Sequence, residues 1–202
     1  MWNKIKRIYV GTQKVRPIET WTYSMDFRTV SASDLRSAGW TLASGVTLNS
    51  TRWMYASGWA VNYYTPSGLW DAMQTAKKVT ITMLSNQTTA SASQWDYRLV
   101  LQKISGSGGD IWFYWNYNMI RVYIAGTSTQ YSKYATSTSD YTVNQVYDLV
   151  NKTVVSESTW IGLSSTLTLT DADITEIRWL WKIDLTLSWQ RNIKTISVTV
   201  EY

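Results

Sequence analysis

Apolar residues recur at every second position through much of the chain. Around Thr20–Val30, Trp21, Tyr23, Met25 and Phe27 fall on one side, and Thr22, Ser24, Asp26 and Arg28 on the other. That period places alternate side chains on opposite faces of a half-buried β-strand. Val79, Ile81 and Met83 repeat the pattern after Lys77-Lys78, and Trp95, Tyr97, Leu99 and Leu101 do so against Asp96, Arg98 and Gln102. The Gly/Ser run Ser105–Asp110 reads as a turn. Ile111–Tyr117 and Met119–Ala125 predict a hairpin turning near Asn116–Asn118. Val146–Val150 and Thr153–Ser158 predict another, turning at Asn151-Lys152.

The longest alternation comes late. Ile177, Trp179, Trp181, Ile183, Leu185, Leu187 and Trp189 oppose Arg178, Lys182, Asp184, Thr186, Ser188 and Gln190. At roughly 3.3 Å per residue the run would extend about 40 Å, as one long strand or two strands joined by a bend. The chain then turns at Gln190–Asn192, and Ile196, Val198, Val200 and Tyr202 form a C-terminal strand. On these stripes Trp21, Trp95, Trp179, Trp181 and Trp189 are expected in the core.

Helix is predicted only in short pieces. Ser33 can cap one turn that Gly39 ends in the left-handed region. Pro66–Ala76 suits a short helix with proline near its start, and Thr170–Asp173 opens a third turn. Thr127–Asp140 reads as a loop with an edge strand. The expectation is an all-β antiparallel sandwich with under about a tenth in helix, against roughly a third in an average domain. A closed barrel is the alternative. Residues 1–18 form a basic arm and residues 19–202 the sandwich.

Composition narrows the chemistry. Hydrophobic residues make up 45% of the 202, enough for a core, while charged residues are only 16%, below the usual roughly 25%. There is no Cys, hence no disulfide framework. There is no His, which removes the commonest general base and transition-metal ligand. The net charge of +5 is confined to the start, where Lys4, Lys6, Arg7, Lys14 and Arg16 all precede the first acidic residue, Glu19. A nucleic-acid binder would spread positive charge over a folded face, so no nucleic-acid partner is expected. An arm that docks on an acidic partner fits better, with Ile8 and Val10 as its apolar contacts. No run reaches the roughly 18 apolar residues of a membrane helix, and Met1 to Arg7 is not followed by the apolar stretch of a secretory leader.

Two segments carry resemblances. Ile8-Tyr9-Val10-Gly11-Thr12-Gln13-Lys14-Val15-Arg16-Pro17 resembles a short N-terminal segment found ahead of varied domains in structural proteins of tailed bacteriophages. The remainder resembles the concanavalin-A-like jelly roll of lectins and laminin-G domains. Met25-Asp26-Phe27 ahead of Gly39-Trp40-Thr41, the stretch Val146–Lys152 and the final paired strands carry that likeness. Together they imply a virion structural protein of the tail, fibre or capsid surface. Its partners would be other virion proteins or further copies of itself, with cell-surface carbohydrate as a ligand. The alternative is a free-standing, extracellular lectin-like module.

Catalytic machinery is not visible. A glycosidase needs two carboxylates across a cleft, and concanavalin-like glycosidases often carry them as E-x-D-x-x-E, which is absent here. Without His there is no Ser-His-Asp triad, and no G-x-S-x-G or S-x-x-K pattern offers another nucleophile. Asp171, Asp173 and Glu176 are the one dense acidic group. A calcium site there is a weak alternative to carboxylates that favour the start of a helical turn, so no metal or cofactor is expected. Aromatic rings remain, with 13 Trp and 14 Tyr. Flat rings can cover the C–H faces of sugars, and Trp53, Tyr55, Trp59, Tyr63, Tyr64 and Trp70 crowd a segment of poor alternation. These are the candidate glycan contacts.

Overall fold

The computed structural model describes residues 8–10, 13–15, 19–49, 51, 53–56, 60–87, 97–103, 111–116, 119–124, 127–132, 140–158, 163–187 and 191–202. The first elements are β1 (Ile8–Val10), β2 (Gln13–Val15), β3 (Thr20–Asp26), α1 (Ala32–Ser37), β4 (Val46–Asn49), β5 (Trp53–Ala56) and β6 (Ala60–Tyr64). Then come α2 (Leu69–Gln74), β7 (Lys78–Gln87), β8 (Tyr97–Lys103), β9 (Ile111–Asn116), β10 (Met119–Ile124) and β11 (Thr127–Ser132). The last are β12 (Tyr141–Asp148), β13 (Thr153–Ser158), β14 (Leu163–Thr168), α3 (Asp171–Arg178), β15 (Leu180–Leu187) and β16 (Arg191–Glu201).

Among the described residues the strands build two large antiparallel sheets. One has eight strands, running β14-β13-β12-β7-β16-β5-β4, with β3 also paired to β16. The other has six, in the order β11-β10-β9-β8-β15-β6. β16 shares one of its edges between two partners: β3 covers Thr195–Glu201, and β5 meets it at Ile193. The hairpins expected at residues 111–125 and 146–158 form as β9–β10 and β12–β13. Lys152, in the second turn, takes a φ of 55°. β11 lies at the edge of the six-stranded sheet.

The period-2 stripes close the core. Val79, Ile81 and Met83 of β7 and Ile196, Val198 and Val200 of β16 point inward, as do Ile183, Leu185 and Leu187 of β15. Leu69 and Met73 of α2, Ile177 of α3 and Leu35 of α1 join the same cluster. Fully burying each such side chain stabilises by about 1.5–3 kcal/mol.

Two expectations are corrected at the end of the chain. The alternation from Ile177 is not one strand. Thr170 caps α3, and its Oγ accepts from Asp173 N at 3.1 Å while the Asp173 carboxylate takes Thr170 N at 2.7 Å. This reciprocal capping box draws Ile177 and Arg178 into helix. Trp179 becomes the C-cap and is 42% exposed. The register of β15 against β8 then shifts between Leu180 and Lys182. That bulge resets the alternation, so Leu180 takes the core position assigned to Trp179. The side chain of Trp181, and Trp95 and Trp189, lie outside the described residues. The second correction concerns the last two strands, which do not pair with each other: β15 belongs to the six-stranded sheet and β16 to the eight-stranded one. A smaller shift occurs at α1. Its cap is Ser31 rather than Ser33, because Asp34 stands three residues on and returns a bond to Ser31 N at 2.8 Å. Gly39 ends that turn at φ 96°.

The arm is described as a separate antiparallel pair, β1 with β2, in the register Ile8↔Val15, Tyr9↔Lys14 and Val10↔Gln13. Lys4, Lys6, Arg7 and Arg16 lie outside the described residues, as do the side chains of Ile8, Val10 and Lys14.

Candidate functional site

The sequence-predicted rings do not form one face. In β5, Met54 and Ala56 are buried, so Trp53 and Tyr55 turn to the outer side of the eight-stranded sheet. Tyr63 sits on β6 at the edge of the other sheet, 39% exposed, with Lys182 Nζ 4.2 Å from its ring centre. Tyr64 turns inward. It stacks on Trp40 at 5.4 Å and 11° and lies 5.2 Å from Tyr23. In that cluster the Trp40 indole donates to the Tyr23 hydroxyl at 3.1 Å, and burial raises the Tyr23 phenol well above its usual range. Trp70 of α2 is half-buried and meets the exposed Trp179 at 5.4 Å. Trp59 lies outside the described residues.

Around Trp53 the sheet collects polar groups that the sequence reading missed. Asp140 precedes β12, Asn86 is on β7, Asn192 and Lys194 are on β16, and Trp53 begins β5. These four strands are neighbours in the order β12-β7-β16-β5. The β16 register shifts between Ile193 and Thr195, leaving Lys194 as the extra residue of a bulge. Bulges re-aim side chains. Here the Lys194 carbonyl accepts from Phe27 N at 2.8 Å, while its ammonium lies 3.4 Å from the Trp53 ring centre and pairs with the Asp140 carboxylate. Lys194 is 4% exposed and Asp140 remains open to solvent. A desolvated cation over an indole contributes about 2 kcal/mol, and Asp140 offsets the cost of burying the charge.

The network extends inward. Asn86 Nδ2 donates to Asp140 Oδ1 at 3.1 Å, and Asn192 Nδ2 donates to Asn86 Oδ1 at 2.8 Å. Ser85 Oγ donates to the Asn192 carbonyl at 2.6 Å. The side-chain Oδ1 of Asn192 is buried with no hydrogen-bond partner; an unmet buried acceptor of this kind costs about 1–3 kcal/mol. Trp53 itself holds φ at 54°. For a bulky residue this left-handed backbone is strained, and such strain persists where surrounding contacts enforce it. Beside the group, Arg28 donates to Asp26 at 2.8 and 2.5 Å. That contact holds the Asp26 carboxyl below its ordinary value. The Arg28 guanidinium is held above its own ordinary value by Asp26, with a smaller contribution from Asp140.

The acidic group on α3 is occupied otherwise. Asp173 is spent on the helix cap, and Asp171 pairs with Lys152 Nζ at 2.8 Å. Glu176 is half-buried on the same helix, one turn further on. Among the described residues no group of three or more His, Cys, Asp or Glu is placed to hold a metal ion. Among the same residues no helix is long and apolar enough to cross a membrane.

No family model matches the chain, and a comparison with curated protein sequences found no match. Solved structures are similar. Winged bean acidic lectin, complexed with methyl-α-D-galactose, aligns at a TM-score of 0.62 and 14% identity over 91% of this chain and 99% of its own. The carbohydrate esterase of Shiga toxin-encoding bacteriophage phi24B aligns at 0.58 and 15% identity, over 91% and 100%. The CBM2 module of the evolved Dit of Lactobacillus casei BL23 phage J-1 aligns at 0.55 and 11%, over 91% and 97%. The chain therefore has the concanavalin-like jelly-roll fold, an all-β antiparallel sandwich.

Proposed function

We propose that this chain is a non-enzymatic carbohydrate-binding module carried on a bacteriophage particle. The observation that carries the reading is the pairing of a jelly-roll sandwich with partly exposed aromatic rings flanked by polar side chains. Trp53, Tyr55, Tyr63 and Trp70 each lie at a surface. An indole or phenol face covers sugar C–H groups at little entropic cost, while neighbouring amides and carboxylates fix the hydroxyls. A lectin and a phage CBM2 module among the similar folds support the same reading. Fold alone does not determine function, so the weight rests on the rings and their polar neighbours.

The phage setting draws on the Ile8–Pro17 segment and on two similar structures of phage origin. In this reading the arm, through Lys4, Lys6, Arg7, Ile8, Val10, Lys14 and Arg16, docks on another virion protein or on a second copy of this chain. An isolated two-stranded hairpin is marginal in water, so it gains from adding to a neighbour's sheet. The similar esterase raises a second possibility, that the chain is an enzyme. The absence of His from the sequence argues against the commonest hydrolytic machinery. The test is retention of the intact chain on immobilised bacterial envelope polysaccharide against bare matrix. Delayed elution that soluble polysaccharide abolishes supports the reading; elution at the void volume on every polysaccharide, or release of free acid or reducing sugar by the chain, overturns it.

A further inference from the structure

We infer that the outer rim of the eight-stranded sheet, at Trp53, Asn86, Asp140, Asn192 and Lys194, is the sugar site, and that it takes a neutral, polyhydroxylated ring rather than an anionic glycan. The inference rests on the carbohydrate-binding reading and names the place and ligand class.

The first support is the hydrogen-bonding inventory. Asn192 Oδ1 is a buried acceptor with nothing to accept. Among the described residues each Asp140 oxygen takes one bond, from Asn86 and from Lys194 respectively, and an ionised carboxylate oxygen can take two. The Lys194 ammonium is already directed at Asp140 and at the Trp53 face. The Asn86 and Asn192 amide nitrogens each make one bond and carry two N–H groups, so the patch presents both acceptors and donors. Sugar hydroxyls both donate and accept, and at the solvent-exposed Asp140 they can donate to the remaining lone pairs.

The second is charge. Lys194 pairs with Asp140 and Arg28 with Asp26, so the rim carries no net charge among these groups. A sulfate, phosphate or carboxylate approaching the half-exposed Asp140 meets like charge, and the nearby cations are already neutralised. The third is the platform. Trp53 is half-buried in a strained left-handed conformation, with a cation fixed against its ring. The bulge at Lys194 and the backbone of Trp53 hold the indole next to the acceptors, in an orientation set before any ligand arrives. Pre-organised rings lose little freedom on binding.

Isothermal titration of the intact chain tests this. The ligands are neutral hexose and N-acetylhexosamine oligosaccharides, with sulfated, sialylated and phosphorylated counterparts of the same length. The wild type is expected to bind a neutral ligand at least tenfold more tightly than its anionic counterparts. Trp53→Ala and Asp140→Asn should each weaken binding at least tenfold, while Trp179→Ala, at the exposed C-cap of α3, stays within twofold. If Asp140→Asn disturbs folding by leaving Lys194 unpaired, the Asp140→Asn/Lys194→Met double variant, which buries no lone charge, carries the test with the same expected loss. Binding that survives Trp53→Ala and disappears with Tyr63→Ala or Trp70→Ala overturns the site and leaves the carbohydrate reading standing. Preference for an anionic ligand overturns the ligand class alone. No binding to any of these ligands overturns the inference together with the reading beneath it.

Discussion

The break between α3 and β15 yields a sharp energetic contrast between adjacent residues. Leu180 is fully buried and Trp179 is 42% exposed. Leu180→Ala removes a buried side chain and leaves a cavity, which costs about 2–5 kcal/mol depending on how far the site relaxes. Trp179→Ala loses its contact with Trp70 and partial burial, about 1 kcal/mol by the usual size of aromatic pairs. In a domain of this length each kcal/mol shifts the melting temperature by about 2–4 °C. Leu180→Ala should therefore melt roughly 4–20 °C lower and Trp179→Ala only about 2–4 °C lower. Scanning calorimetry reads the midpoints, and urea titration at constant slope confirms that the native state, not the unfolded chain, has changed. A continuous strand through Ile177–Trp189 would reverse the ranking. A loss of 3 kcal/mol or more for Trp179→Ala, with under 1 kcal/mol for Leu180→Ala, would refute both the helix and the bulge.

Other outcomes follow from the same geometry. Thr170→Ala removes the side-chain half of the α3 capping box and should cost about 1 kcal/mol, read as a lower urea midpoint; Thr170→Ser should restore it. Among the described residues three carboxyls lie below the ordinary value of 3.8: Asp26 through the Arg28 side chain, Asp34 through the Ser31 hydroxyl and Asp148 through the Asn151 backbone N–H. Their native forms are ionised, so their stabilisation is present above the unfolded value and is lost as pH falls below about 4. Burial raises the Tyr23 and Tyr147 phenols above 10.0; that stabilisation is present below pH 10.0 and lost as pH rises beyond it. A melting temperature that stayed flat from pH 3 to 11 would contradict both. Deleting residues 1–17 should leave the melting temperature of the sandwich unchanged and abolish the docking proposed for the arm, read as loss of assembly; unfolding of the shortened chain would make the arm part of the domain.

The sheets were legible because burial on one face imposes period 2 directly on sequence. What period 2 does not carry is the order of strands or the position of bulges. Both bulges leave a trace nonetheless. Leu180 and Ile183, and again Ile193 and Ile196, are buried apolar residues three apart on otherwise alternating strands. A step of three in a period-2 run marks one extra residue. The first moves Trp179 out of the core, and the second turns Lys194 toward Trp53. The capping pair Thr170 and Asp173 signals a helix start, but the period-2 stripe through Ile177 conceals where that helix ends, since Ile177 is buried equally well by a helix or a strand. The rim residues at 53, 86, 140, 192 and 194 are far apart along the chain, and only the order β12-β7-β16-β5 makes them neighbours. Crowding in sequence was a poor guide to crowding in space: of the rings between Trp53 and Trp70, one pair faces outward on one sheet, Tyr63 lies on the other, and Tyr64 is enclosed by Tyr23 and Trp40.

Whether this jelly roll binds carbohydrate, as proposed, is read by a glycan array probed with the intact, labelled chain. A sugar site at Trp53 gives concentration-dependent signal on a restricted set of neutral glycans, competed by the matching free sugar and lost with Trp53→Ala. Uniform background across all glycans, from a chain whose circular dichroism and melting curve show it folded, would contradict it.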